Sequence, residues 1–276
     1  MSIDDVRIVS AACIGDLNRL EPLVRAVFGE GRRAQGWFGR KLHRECVVPD
    51  GSVVLTHADD PCDDAGWIGY GLLGLPPSLE GIARTAGIGL RPEVRGRGHG
   101  RRIVDALGRA AQRWGARTLR IPAPPERVRF YGRCGLYEAD RVVTLLAFGR
   151  ADAPPARRAE DWNASTPGPR VSAWLAEAWQ RTPEHIRYTW RTVDGAHRFD
   201  VSIEGRAHVV QRWTANAHAD PLAGAEAWRA AVPIAAPALL HDVPAVSSVT
   251  DKLETDGWVR VQTSVMMQRH FASTAE

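Results

Sequence analysis

Residues 95–102 read "RGRGHGRR": glycines at 96, 98 and 100 alternate with Arg95, Arg97, His99 and Arg101, after the apolar "TAGIGL" (85–90) and before the amphipathic "IVDALGRAAQRW" (103–114). Glycine accepts φ > 0 and lets a ligand reach the main chain with no Cβ in the way. A glycine turn leading from a strand into a helix aims unpaired N–H groups and the positive end of the helix dipole at one spot, and such a spot binds phosphate. Arg95, Arg97, Arg101 and Arg102 would add charge-assisted contacts. The same bare backbone also suits a plain loop or a helix cap. It is not a dinucleotide G-x-G-x-x-G, because Arg101 stands in the third glycine's place, nor a P-loop, because no Gly-Lys-Ser/Thr follows.

A second group stands further along. "RFYGRCGLYEA" (129–139) sets Phe130-Tyr131 ahead of Gly135-Leu136, on a short helix that follows the strand "TLRIPAP" (118–124). Cys134 lies in the same helix and reads as a small core residue.

The elements that must hold these groups follow from periodicity and turn signals. Val6–Ser10 reads as a strand, 16–28 as a helix with Asp16 at its start, and 34–46 as a second helix. "GSVVLTHADD" and "GWIGYGLLGL" form a hairpin across an acidic turn, and "DRVVTLLAFG" (140–149) closes the first half as a strand. Residues 151–170 are rich in Pro, Ala and polar residues without apolar period and read as a linker. Beyond it come a helix in "VSAWLAEAWQ", a three-strand meander, a helix at 220–232 capped by Asp220, a strand, a helix and a final strand. That ending repeats 118–149 in outline: strand, helix, Gly followed by an apolar residue (Gly135-Leu136, Gly257-Trp258), strand.

Composition narrows the function classes. The 276 residues bury one large or two ordinary cores, and 44% hydrophobic with 25% charged residues excludes disordered and fibrous classes. The net charge of +4 is no nucleic-acid footprint, because Lys occurs only at 41 and 252 and the arginines are scattered among acids. The four cysteines show neither metal-ligand nor disulfide spacing, which fits a reducing cytoplasm, and no apolar run reaches the ~20 residues of a membrane span.

Taken together, the two motifs resemble the GNAT superfamily of acetyl-CoA-dependent N-acetyltransferases. Arg95-Gly96-Arg97-Gly98-His99-Gly100 matches its acyl-CoA loop, Arg/Gln-x-x-Gly-x-Gly/Ala, and Phe130 to Leu136 matches its Phe-Tyr-x-x-x-Gly-Phe signature, with Leu for the final aromatic. The resemblance covers residues 5–149 strongly and the remainder in outline. It implies an α/β (α+β) fold with a mixed, mostly antiparallel sheet flanked by helices, and a second, smaller GNAT-like α+β domain. The division expected is 1–150 catalytic, 151–170 linker and 171–276 degenerate and non-catalytic, since aligning Gly257 with Gly135 puts Leu253 where Tyr131 stands.

For the site, the resemblance implies that the acetyl-CoA pyrophosphate sits on the amides of 95–101, Arg101 included, and that pantetheine runs as an extra strand beside Ile88, Gly89 and Leu90. A backbone N–H near Leu90 would polarise the thioester carbonyl. Tyr131 would protonate the departing thiolate: a phenol of pKa ~10 delivers a proton to a thiolate of pKa about 8.5–9 without ionising beforehand. The general base is open. "ARTAGIGL" holds no acid, and Glu80, before that strand, ranks ahead of Glu93, after it. Direct acetyl transfer to a primary amine of a small molecule (amino acid, polyamine or antibiotic-like amine) is expected, a protein acceptor being the other choice. No metal, nucleic acid or membrane is expected, and the chain is monomeric or a homodimer. The alternative class is an acyl-CoA-binding protein that kept the fold and lost turnover.

Overall fold

A computed structural model describes residues 6–29, 35–76, 80–150, 185–192, 195–215 and 220–272. The chain forms two compact units, one of Met1–Pro122, Glu126–Glu138 and Met267–Glu276, the other of Ala123–Pro125 and Ala139–Met266.

The first unit contains β1 (Arg7–Ser10), α1 (Glu21–Phe28), α2 (Trp37–Arg44), β2 (Val53–Thr56), β3 (Trp67–Gly74), β4 (Ile82–Leu90), α3 (His99–Arg113), β5 (Thr118–Ala123) and α4 (Val128–Arg133). Its sheet runs β1-β2-β3-β4-β5 and is completed by the end of the last strand, β11 (Val259–His270). Neighbours from β1 to β4 are antiparallel, while β4 and β5 are parallel. Strands β2 and β3 are buried along their whole length, because helices cover both faces. Leu20, Leu23 and Val24 pack with Phe38 of α2 on Val54, Tyr70, Leu72 and Ala86. On the opposite face Ile103 and Leu107 of α3 press against Gly71.

The helix expected at 16–28 divides into a 3₁₀ turn, Leu17–Leu20, and α1. Asp16 caps the turn by accepting from the Asn18 N–H, and Pro22, which has no N–H to donate, sits in the first turn of α1, where none is needed.

The second unit contains β6 (Tyr137–Phe148), β7 (His185–Thr192), β8 (Gly195–Glu204), β9 (Ala207–Ala215), α5 (Pro221–Ala231), β10 (Pro237–Pro244), α6 (Ser248–Thr255) and most of β11. Its sheet order is β6-β10-β9-β8-β7, with β7-β8-β9 the expected meander and β9-β10 parallel. The core is aromatic: Phe199 packs on Trp213 and stacks on Trp228, which stacks on Trp258 at 5.9 Å. The Trp residues at 213, 228 and 258 are therefore core residues, while 162, 174 and 179 lie outside the described residues, as do the expected linker at 151–170 and the helix in 171–180.

The division at 150 needs correction. Strand β6, expected to close the first unit, enters the second from Ala139 onward, where Leu145 pairs with Leu240 of β10. Met267–His270 takes the corresponding place in the first unit. There the Phe271 N–H donates to the Arg117 carbonyl, and Arg269 Nη1 reaches Asp105 of α3 and the Cys134 carbonyl. Both strands follow the same helix–Gly–apolar pattern, so local sequence cannot assign either one to a sheet. Among the described residues no helix is long and apolar enough to cross a membrane.

Candidate active site

Leu90 ends β4, a 3₁₀ turn over Pro92–Val94 follows, and α3 begins at His99. The helix starts earlier than expected because positive φ stops at Gly98, which leaves Gly100 helical. Gly98 is the N-cap, at φ 82°, with no side chain to cap the helix and nothing within 4 Å of where a Cβ would stand. The His99 and Gly100 N–H groups precede the first helical bonds, which run from the Arg101 and Arg102 N–H groups to the Gly98 carbonyl. They lie at the positive end of a 15-residue helix. Gly100 serves packing instead: a Cβ there would lie 3.1 Å from the Phe130 ring. The two motifs thus meet, and Phe130 in turn holds Tyr131 edge-on at 4.9 Å.

The arginines of the loop divide by task. Arg95 is drawn back, its Nε donating to the Leu90 carbonyl at 3.1 Å and its Nη2 to that of Val27 at the end of α1. Arg102 Nη2 donates to the Val6 carbonyl at 2.9 Å, and Nη1 lies 3.4 Å from Nδ1 of His99. Arg97 stays exposed, as does Arg101 beside Asp105. The His99 side chain is buried, and burial together with the Arg102 and Arg97 charges pushes its pKa down. The ring is therefore neutral at pH 7, and the positive character of the site comes from the backbone and from Arg97 and Arg101.

Strand β4 pairs with β5 only from Ile82 to Arg84, opposite Thr118 to Arg120. From Thr85 onward its edge toward β5 carries no ladder among the described residues, so the polar groups that Ile88 to Leu90 turn to that side have no strand partner there, the Leu90 carbonyl accepting from Arg95 Nε instead. A bulge at Ala86, between the pairs Leu72↔Gly87 and Leu73↔Thr85, bends the strand where the fork opens. An unladdered strand edge thus leads to the uncapped start of α3.

Tyr131, at 8% exposure, has its pKa pushed up to about 12, first by burial, then by Cys134, with Arg127 pulling the other way; no hydrogen bond is among the causes. The phenol keeps its proton through the physiological range and offers it to whatever lies beside it. Cys134 is also buried, and burial raises its pKa, so it is no thiolate nucleophile.

Glu80 is not brought to this site. It precedes β4, ten residues before Leu90, and at ~3.3 Å per residue the two ends of the strand are about 25–30 Å apart. Exposed there, Glu80 lines a separate cleft of about 520 Å³ with Trp114 and Arg117, at the opposite end of β4 from the glycine turn. Glu93 is exposed in the turn at 92–94. Two residues that the motifs did not signal stand at the fork itself: Arg84 and Arg120, opposed in the last β4–β5 pair. The signal for Arg120 was a charge in the otherwise apolar "TLRIPA". Among the described residues no three His, Cys, Asp or Glu side chains are grouped to hold a metal.

Residues 30–136 match the family model described as "Acetyltransferase (GNAT) family". Among solved structures, the chain is similar to a tandem GNAT protein from the clavulanic acid biosynthesis pathway, with 12% identity and a TM-score of 0.63 over 98% of this chain and 100% of that one. A Pyrococcus horikoshii structure described as that of an acetyltransferase shares 14% identity, with a TM-score of 0.62 over 100% and 93%. A GCN5-related N-acetyltransferase from Sphaerobacter thermophilus shares 12%, with a TM-score of 0.57 over 98% and 97%. At these identities the likeness is one of fold, and it extends over both units. No curated protein matches the chain.

Proposed function

We propose, from the premise that residues 30–136 are a GNAT-family acetyltransferase domain in a chain of tandem GNAT fold, that this protein moves an acetyl group from acetyl-CoA to the primary amine of a small molecule. The observation that carries this reading is the continuity of the open β4 edge with the uncapped start of α3, beside the buried phenol of Tyr131.

Acetyl-CoA, when bound, supplies an activated thioester carbonyl and a thiolate leaving group. The His99 and Gly100 N–H groups, with Arg97 and Arg101, would hold its pyrophosphate, and Ile88 to Leu90 would bind its amide-bearing arm along the strand edge. Tyr131 donates a hydrogen bond, and then its proton, at the sulfur position. Its raised pKa does not disqualify it, because the burial that holds the phenol neutral would raise the pKa of a thiolate in the same place. With Glu80 exposed before β4 and Glu93 in solvent, the acceptor would react as free amine; the second proton its nitrogen sheds as the C–N bond forms and the C–S bond breaks would pass to solvent, which returns one to the Tyr131 phenolate. The second unit has no counterpart of the phenol and acts as a structural partner.

Thermal melting with and without acetyl-CoA tests the reading. Ligand at ~100 times its Kd adds about 2.7 kcal/mol, several degrees for a chain of this size. Thiol release with a panel of amines then separates an enzyme from a protein that only binds acyl-CoA, which would show the shift and no release. Absence of any shift sinks both.

A further inference from the structure

The two arginines at the fork identify the class of acceptor. Leu72 faces α1 and α2, Gly74 shares its face, Arg84 is paired with Gly74, and Arg120 is paired with Arg84. Both arginines therefore stand on the α1/α2 face of the sheet, side by side on strands ~4.8 Å apart, at the last rung before β4 and β5 separate. Neighbouring strand positions disfavour like charges, and both strands are otherwise apolar here: Leu119 and Ile121 are fully buried on the other face. Arg84 is 9% exposed. Arg120 is half-buried, its Nε is shielded from solvent without a hydrogen-bond partner, and it forms no ion pair among the described residues. A guanidinium held at a sheet surface with a shielded, unsatisfied donor is a cost to the folded protein that an oxyanion would remove.

Resting on the acetyltransferase reading above, we infer that the acceptor amine carries an oxyanion group, a carboxylate or a phosphate, which Arg120 binds beside Arg84, so that the amine is presented at the fork. Neutral amines are then poor acceptors because they lack this contact, and polycationic amines because the Arg120 guanidinium repels added positive charge. Arginine suits this task better than lysine, since its fork matches two oxygens of one anion.

The experiment measures thiol release with matched acceptors, free α-amino acids and aminoalkyl phosphates against their neutral amides and alcohols, and against polyamines. In parallel, acetyl-CoA binding is followed by melting. The wild-type protein should prefer one anionic set by about tenfold or more in kcat/KM, the range expected for a hydrogen bond to a charged group, and the two sets tell carboxylate from phosphate. Arg120→Gln should raise KM for the anionic acceptor by about tenfold, leave neutral amines within about twofold, and keep the acetyl-CoA melting shift. Arg120→Lys should recover part of the loss, which a variant that merely misfolded would not allow. Preference for neutral or cationic amines, or unchanged discrimination in Arg120→Gln, overturns the inference while leaving the acetyltransferase reading intact. So does a loss of acetyl-CoA binding in that variant, which would place Arg120 at the donor. Failure of the wild-type protein to bind acetyl-CoA removes both readings together.

Discussion

The two units repeat one plan, and the places where they differ separate what the fold needs from what a ligand needs. In the first, β4 and β5 are parallel over three pairs, Ile82↔Thr118 to Arg84↔Arg120; in the second, β9 and β10 are parallel over three, Ala238↔His208 to Leu240↔Val210. After β5 come α4, Gly135 at φ 81° and buried Leu136; after β10 come α6, Gly257 at φ 90° and buried Trp258. Even the turn bonds correspond. The Leu136 N–H donates to the Tyr131 carbonyl at 3.1 Å, and the Trp258 N–H to that of Leu253 at 3.0 Å. The parallel pairing and the helix–glycine–apolar turn have been kept. What differs is the phenol, replaced by fully buried Leu253, and the start of the helix before the second parallel strand. Gly98 leaves α3 uncapped, whereas Asp220 caps α5 by accepting from the Leu222 N–H, and Pro221 removes a further donor. A carboxylate already occupies the place where a phosphate would bind.

The strongest way to break this comparison is to give the first unit the second unit's cap. Gly98→Asp places an anion at the start of α3, and aspartate tolerates the left-handed φ of 82° better than a branched residue does. Acetyl-CoA binding should weaken by about 100-fold or more, through repulsion and loss of the donors, while the ligand-free protein still melts cooperatively within a few degrees of the wild type. Retained affinity would show that the glycine turn is only a turn.

Tyr131→Phe and Tyr131→Leu sharpen the second difference. Each should lower kcat by ~10²-fold with acetyl-CoA affinity nearly unchanged, because the hydroxyl acts when the thiolate forms. If the ring served packing alone, Phe would be harmless and Leu the worse of the two.

Much of this was legible in the sequence, and the limits have physical causes. The glycine turn and the Phe130-Tyr131 helix are local patterns, and local geometry realises them. Glu80 looked close because it is near "ARTAGIGL" in sequence, but a strand is the most extended form of the chain, and a few residues carry the far end out of reach. Arg95 reads as ligand charge in the sequence, but its side chain donates to the Leu90 carbonyl and to that of Val27, 68 residues away, a contact no local pattern encodes. The pairing of Arg84 with Arg120 depends on register between strands that α3 separates, and no single-strand pattern encodes it. The exchange of β6 and the end of β11 between units was hidden by the repeat itself.

The buried phenol also sets a pH signature that Leu253, at its place in the second unit, cannot give. With the Tyr131 pKa at about 12, the donor stays protonated across the assay range, so kcat/KM should rise with pH until the acceptor amine is deprotonated and should show no descending limb below about pH 10.5. The folded pKa is raised above the unfolded value of 10.0, so its stabilising contribution is complete below pH 10 and is lost as pH rises toward 12. At pH 11 the wild type should have lost on the order of 1 kcal/mol more stability than Tyr131→Phe, read as the difference between their denaturant midpoints. A difference that does not change with pH would mean that the phenol is solvated.

The smallest expected effect tests the second unit directly. Asp220→Ala removes the cap of α5, whose Oδ1 accepts from the Leu222 N–H at 3.1 Å, and should cost about 1 kcal/mol by denaturant unfolding. It frees one donor but does not create a binding site, because Pro221 still lacks an N–H and Leu253 still stands where a phenol would be needed. Titrating acetyl-CoA into Asp220→Ala should therefore give the wild-type stoichiometry, one per chain. A second site appearing in that variant would mean that the cap alone had closed the second unit, and that the two halves differ by one carboxylate rather than by the whole ligand-binding apparatus.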